Sequence, residues 1–177
     1  MSAALRDAQE ALRADLDGGG LSWVPPEKSH LTVRFLGEMD PRRFEALRVA
    51  LGPPVGSLPP FSVKIAGAGS FGPRGRPQVL WLGVQDPNGV LAALYHAVDQ
   101  GLRRLRVNPE QRPYRPHLTL ARARGRVPAE LLTRLRSVGD IGTLPVDALR
   151  LYQSDTGPAG TTYTELMRFP LGTIVQP

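Results

Sequence analysis

The tripeptide His-Leu-Thr occurs twice, at 30–32 in SHLTVRFLG and at 117–119 in RPHLTLAR, in a chain with only three histidines. Its surroundings repeat with it. His30 is followed eleven residues later by Pro41 at a predicted helix start, and His117 eleven residues later by Pro128 at another. Predicted strands open at Phe61, 31 residues after the first His, and at Val146, 29 residues after the second. Upstream, a helix predicted over 88–105 matches one predicted over 2–16. Self-similarity of this kind constrains the fold more than any single motif, because it requires two copies of one supersecondary unit. The chain reads as a single domain of 177 residues built from repeats at about 1–77 and 78–177. One piece is unmatched: the strand QVLWLGV precedes helix 88–105, and nothing precedes helix 2–16. The repeat therefore implies a first strand that is absent, supplied by another segment, or lost to a start codon placed too far downstream.

Local patterns fill in the elements. Ala4, Leu5, Ala8, Leu12 and Leu16 fall at helical spacing and end in Gly18-Gly19-Gly20, a strong stop. Residues 31–36 read as a strand. Asp40-Pro41 predicts an N-cap and first helical position for a helix over 41–51, closed by Gly52-Pro53-Pro54. Strands are predicted at 61–69 and 78–84, and an amphipathic helix at 88–105 after Asp86-Pro87. A polar, proline-bearing loop (107–116) leads to a strand at 117–122, a helix at 128–137, and strands near 146–153 and 162–169.

Alternation on a strand puts His30 and Thr32 on one face, with Leu31, Val33 and Phe35 on the other, toward the core. His117 and Thr119 repeat the arrangement over Leu118 and Leu120. A pseudo-twofold between the repeats would bring both His–Thr faces to one cleft. A lone strand histidine is more often a hydrogen-bonded structural residue than a catalyst, and His96, mid-helix beside Tyr95, is read that way. For the pair, packing explains a recurrent Leu but gives no reason to keep histidine on the opposite face. Imidazole titrates near about pH 6.5, so one neutral and one protonated ring can act as general base and general acid, each contributing roughly 10²–10⁴-fold. Hydrolysis of a strained cyclic phosphodiester needs this combination, with threonine hydroxyls holding the non-bridging oxygens. No metal or cofactor is required, and no Asp or Glu lies within either motif to complete a metal-ligand set.

Composition removes other chemistries. Without cysteine there are no disulfides, thiolate metal sites or cysteine nucleophiles. No run approaches eighteen apolar residues, and the N-terminus carries a charged helical pattern, so a soluble, cytoplasmic monomer without membrane contact is expected. The net charge of +6 is concentrated: residues 101–126 hold eight arginines against Glu110, while the remainder has 14 basic and 15 acidic residues. A solvated basic loop would explain such a cluster, but its position around the second HLT favours an anionic partner.

Two H-x-T-hydrophobic motifs about half a small chain apart resemble the 2H phosphoesterase superfamily. WVPPEKSHLTVRFLGEM, RPQVLWLGV, YRPHLTLAR and LYQSDTGPAGTTYTELMRFPL are similar to its bacterial and archaeal RNA 2′,3′-cyclic phosphodiesterases, also called 2′–5′ RNA ligases. The resemblance spans nearly the whole chain. It implies an α+β, bilobal, pseudo-twofold fold with an antiparallel sheet and flanking helices in each lobe, and an active-site groove between the lobes. It also implies metal-independent opening of an RNA 2′,3′-cyclic phosphate end to a 2′-phosphate. Carried over by position, His30 is the acid that protonates the departing 3′ oxygen and His117 the base that activates water. Thr32, Thr119 and Arg122 bind the phosphate. Members of the family usually open with a strand of the type RLFVAI, the piece that the repeat finds missing; without it one sheet has an uncovered edge.

Strict alternation puts Arg122 on the face away from His117, so a bulge, a strand end or a reach around the edge is expected to bring it in. Phe71, Arg74, Arg76 and Tyr114 are candidates for stacking on a terminal base or holding flanking phosphates. Arg34 shares the face of His30 and Thr32 and is read either as a substrate contact or as an exposed strand end; Trp81 is read as core. Two alternatives stand beside the phosphodiesterase: an RNA-end-binding or ligation-associated module with little turnover, and a 2H hydrolase of small cyclic nucleotides.

Overall fold

The computed structural model describes residues 2–14, 20–157 and 160–172. Its elements in chain order are α1 (Ser2–Arg13), β1 (Leu21–Trp23), α2 (Phe44–Gly56), β2 (Phe61–Phe71), β3 (Val79–Gln85), α3 (Val90–Arg104), β4 (His117–Ala123), α4 (Ala129–Arg136), β5 (Asp140–Val146), β6 (Ala148–Gly157) and β7 (Gly160–Pro170), with 3₁₀ turns at Pro26–Lys28 and Pro41–Arg43. The fold is α+β: one five-stranded sheet in the order β1-β4-β3-β2-β5, antiparallel in its β1·β4, β4·β3 and β3·β2 pairs, and the antiparallel pair β6-β7. The chain divides into two compact units, each drawing three segments from both halves of the sequence. The first takes the segment ending at Val33, Val63–Pro87 and Pro113–Leu144; the second takes Arg34–Ser62, Asn88–Arg112 and the segment from Pro145 onward.

In the first unit the sheet follows the alternation of its sequence. Leu80, Leu82 and Val84 of β3 and Leu118 and Leu120 of β4 are buried, as are Leu5 and Leu12 of α1 and Leu131 and Leu135 of α4, which together form this unit's core. Gln9, the buried polar side chain of α1, donates to the Val24 carbonyl at 2.7 Å. Much of the Gly18-Gly19-Gly20 stop lies outside the described residues. Strand β1 escapes prediction because three residues carry too little pattern to register. It is defined by its partner, with Leu21, Ser22 and Trp23 facing Ala123, Arg122 and Ala121.

The second unit centres on α2 and α3. Leu91, Leu94, Val98 and Leu102 form the buried stripe of α3, at the spacing of a helix face, and Leu47, Leu51 and Val55 form that of α2. Asp40 caps the start as expected, its carboxylate accepting from the Arg42 amide at 2.9 Å, although the first turn is 3₁₀. The expected end at Gly52-Pro53-Pro54 does not occur, and α2 runs on through both prolines to Gly56. Proline lacks the amide that would have bonded to Val49 and Ala50, but one further turn survives because Val55 is fully buried and the Ser57 amide closes onto the Pro53 carbonyl at 3.1 Å. The helices approach closely at Gly101, where an added Cβ would lie 2.6 Å from Leu51 Cδ2 and 2.9 Å from the Ala50 carbonyl oxygen. Gly101→Ala is therefore expected to destabilise the chain by about 1–3 kcal/mol despite alanine's better helix propensity, read as a lowered denaturant midpoint.

The strand predicted over 31–36 is not formed. Its only pairing among the described residues is an isolated antiparallel bridge from Leu31 to Leu118, and Phe35, expected in the core, is 73% exposed. An alternating pattern gives a segment the capacity to pair, but the ladder exists only where a partner runs alongside, and none does beyond Leu31 among the described residues.

Candidate active site

Both His-Leu-Thr segments belong to the first unit, and the Leu31–Leu118 bridge joins them at their central residues. Antiparallel register on either side of that bridge sets His30 beside Thr119 and Thr32 beside His117. Leu118 is 2% exposed and points into the core. Alternation then sends both imidazoles and both hydroxyls to the opposite face, where His117, Thr32 and Thr119 are half-buried and His30 is exposed.

Each ring is oriented by the backbone immediately before it. His30 Nδ1 lies 2.9 Å from the Lys28 carbonyl and His117 Nδ1 lies 2.7 Å from the Arg115 carbonyl, two residues upstream in both cases. A carbonyl can only accept, so Nδ1 carries a proton in both rings, and in the neutral form the lone pair resides on Nε2. The repeat seen in the sequence thus extends to the tautomer.

Neighbouring strands floor this face. His117 pairs with Gly83 and Thr119 with Trp81, while Gly69 and Phe71 of β2 pair with Trp81 and Val79. The Phe71 and His117 rings meet edge to face at 4.9 Å, Phe71 and Trp81 lie 5.2 Å apart, and Trp81 and His117 6.4 Å apart. Trp81, read from the sequence as core, instead shares the histidine face and is half-buried, with its indole Nε1 enclosed and without a hydrogen-bond partner among the described residues. It fits because residue 69 has no side chain: a Cβ there would come within 2.4 Å of Trp81 Cζ2.

The expected bulge is present in β4. Thr119 faces Trp81 and Ala121 faces Leu80, so one extra residue, Leu120, stands between them. Leu120 and Ala121 are both buried, at 1% and 0% exposure. Beyond the bulge Arg122 faces Val79, two residues from Trp81, so Arg122 returns to the face of Thr119 and His117, with its side chain exposed.

The remaining candidates divide. Arg74 and Arg76 are exposed on the β2–β3 turn, which starts directly after Phe71 and is closed by the Gln78 amide on the Phe71 carbonyl at 2.8 Å. Tyr114 is half-buried on the approach to β4. Arg34 is not at an exposed strand end. Its side chain is 7% exposed and ion-paired to Glu110 at 2.9 Å, because the loop after α3 folds over it. His96 is exposed on α3 in the second unit, against Tyr95. Away from these residues, Lys64 holds the Asp140 carboxyl below its ordinary range through a contact of 2.8 Å.

The family model of the 2′-5′ RNA ligase superfamily matches residues 2–158, a span that contains both histidine motifs. The chain belongs to this superfamily. Among curated members it is 33% identical over 155 residues to the RNA 2′,3′-cyclic phosphodiesterase of Aeropyrum pernix, covering 84% of this chain and 85% of that protein. It is 33% identical over 175 residues to the RNA 2′,3′-cyclic phosphodiesterase of Thermus thermophilus, covering 96% and 83%. Solved structures agree. TT0787 of Thermus thermophilus superposes with a TM-score of 0.79 at 31% identity over 97% of this chain and 91% of that one. Escherichia coli LigT complexed with 3′-AMP superposes with a TM-score of 0.75 at 28% identity over 96% and 92%. The resemblance read from the two HLT segments is borne out, as is the α+β class.

Two features of this superfamily member escape a reading of the sequence alone. Trp81 was legible in principle, since alternation in VLWLGV opposes it to the buried Leu80 and Leu82. The Arg34–Glu110 pair was not, because 76 residues separate its partners and neither belongs to a motif.

Proposed function

We propose that this chain hydrolyses RNA 2′,3′-cyclic phosphate ends to a 2′-phosphate by metal-independent acid–base catalysis between His30 and His117. The observation that carries this reading is the matched pair of Nδ1–carbonyl bonds, which fixes Nδ1 as a donor in both rings and so assigns proton transfer to Nε2. His117 Nε2 takes a proton from water as the water oxygen bonds to phosphorus. The bond from phosphorus to the 3′ oxygen breaks, and that oxygen receives the proton held on His30 Nε2. Thr32 and Thr119 donate to the non-bridging oxygens, and the Arg122 guanidinium offsets their growing charge. Phe71 and Tyr114 offer stacking surface to a terminal base, and Arg74 and Arg76 pair with flanking phosphates. The names of the curated relatives support the reaction. The arginine-rich segment 101–126 supports an RNA end over a free cyclic mononucleotide.

The test is turnover of 2′,3′-cyclic AMP and of an oligonucleotide ending in a cyclic phosphate, with excess EDTA present. Undiminished hydrolysis with a bell-shaped pH profile of kcat/KM is expected, since one ring must be neutral and the other charged. Loss of activity in EDTA removes the metal-free mechanism, and a flat profile from about pH 5 to 9 removes the paired imidazoles. Tight binding of the oligonucleotide without product favours an end-binding module.

A further inference from the structure

Arg34 and Glu110 are joined where two parts of the chain approach the candidate site. Arg34 is two residues beyond Thr32, and Glu110 opens the last seven residues before His117. The guanidinium bridges Glu110 and the backbone of the same loop: Nη1 donates to Glu110 Oε2 at 2.9 Å, and Nη2 donates to the Asn108 carbonyl oxygen. The Arg34 side chain is 7% exposed, whereas that of Glu110 is 39% exposed, and Arg34 Nε is enclosed with no hydrogen-bond partner among the described residues. Thermodynamically this is a poor way to stabilise a fold. The cation gives up its hydration, one of its donors gains nothing in return, and its counter-charge remains partly in water. An apolar side chain of similar volume would serve packing at least as well. What the fork supplies instead is geometry. Two donors on a rigid plane fix the backbone after Thr32 against the loop that delivers His117, which an aliphatic contact or a single ammonium cannot do.

We infer that Arg34 is a positioning residue: through Glu110 and the Asn108 carbonyl it fixes the alignment of His30 and Thr32 with His117 and Thr119. The inference rests on the acid–base reading of those four residues. Rings that must face one phosphorus atom tolerate little error, and a displacement of about 1 Å can cost roughly 100-fold in rate. Without the fork, the only ladder contact between the two segments among the described residues is the Leu31–Leu118 bridge.

The test compares Arg34→Met, Arg34→Lys, Glu110→Gln and the double variant Arg34→Met/Glu110→Gln, with Arg42→Ala as control. Arg42 is a solvated arginine, 91% exposed, paired with Asp40. For Arg34→Met, kcat on 2′,3′-cyclic AMP should fall roughly 10- to 100-fold with KM changed less than about threefold. Arg34→Lys restores charge without the fork and should recover only part of the loss. The double variant removes both charges, so its melting temperature should return toward wild type while kcat stays low. The Leu31 and Thr32 amide signals and the His30 ring signals should shift or broaden in NMR spectra of every Arg34 variant, and stay in place in Arg42→Ala. A double variant with wild-type kcat, or rate losses that merely track the unfolded fraction, overturns the inference. If the wild type itself proves inactive, the functional reading fails separately, and the spectra decide: unmoved His30 and Thr32 signals overturn the positioning role, and displaced ones uphold it.

Discussion

His30→Ala and His117→Ala should each lower kcat on a cyclic phosphate by roughly 10²–10⁴-fold, with the melting temperature little changed. On the proposed mechanism, the size follows from the proton that each ring moves at one end of an in-line displacement. Stability should hold because His30 is exposed and His117 only half-buried, and the bond each loses runs only to a carbonyl two residues away. The double variant should be little slower than the worse single one, because groups that act in one concerted step do not contribute additively. Their pH profiles should differ in kind. Without the base the rise of rate from acid toward neutral pH is lost, and without the acid the fall toward alkaline pH, so the two profiles assign the roles. Undiminished turnover in either variant would refute the mechanism.

Gly69→Ala should be damaging although it adds only a single methyl group. The new carbon would lie 2.4 Å from Cζ2 and 2.6 Å from Cη2 of Trp81, against a rigid ring that has Phe71 on another side. Residue 69 has an ordinary backbone angle, so the effect is steric and not one of strain. Overpacking of this kind costs about 1–3 kcal/mol. The displaced indole also presses on Phe71, which touches His117, so kcat should fall further than the unfolded fraction explains. Trp81→Leu in the Gly69→Ala background should restore much of the stability. If Gly69→Ala melts like wild type and turns over at the same rate, the crowding described for this face is wrong.

The sequence was legible where a local pattern decides the outcome. The buried stripe of α3, Asp40 as a cap, and His117 with Thr119 on one face of β4 over the buried Leu118 all depend on spacings of a few residues, which survive any tertiary environment. Reading failed where a partner decides. Residues 31–36 alternate like a strand, yet among the described residues only Leu31 finds a pairing partner, and Phe35 is left in solvent. Pro53 and Pro54 are strong breakers, but the burial of Val55 outweighs two missing amide bonds and keeps α2 going to Gly56. Arg34 carried no local sign that Glu110 would cover it. The expected bulge near Arg122 was legible only as a conflict, an arginine on the wrong side of an otherwise coherent strand, and Leu120 resolves it.

That extra residue separates two rulers. Along β4, Thr119 and Arg122 are three residues apart, but their β3 partners Trp81 and Val79 are only two apart, so the sheet spaces them by about 7 Å. The surplus is absorbed inward, as a second apolar group beneath the strand. The interior can therefore be filled in whole-residue steps without lengthening the distance a guanidinium must cover, and packing and chemistry answer to different counts of the same chain.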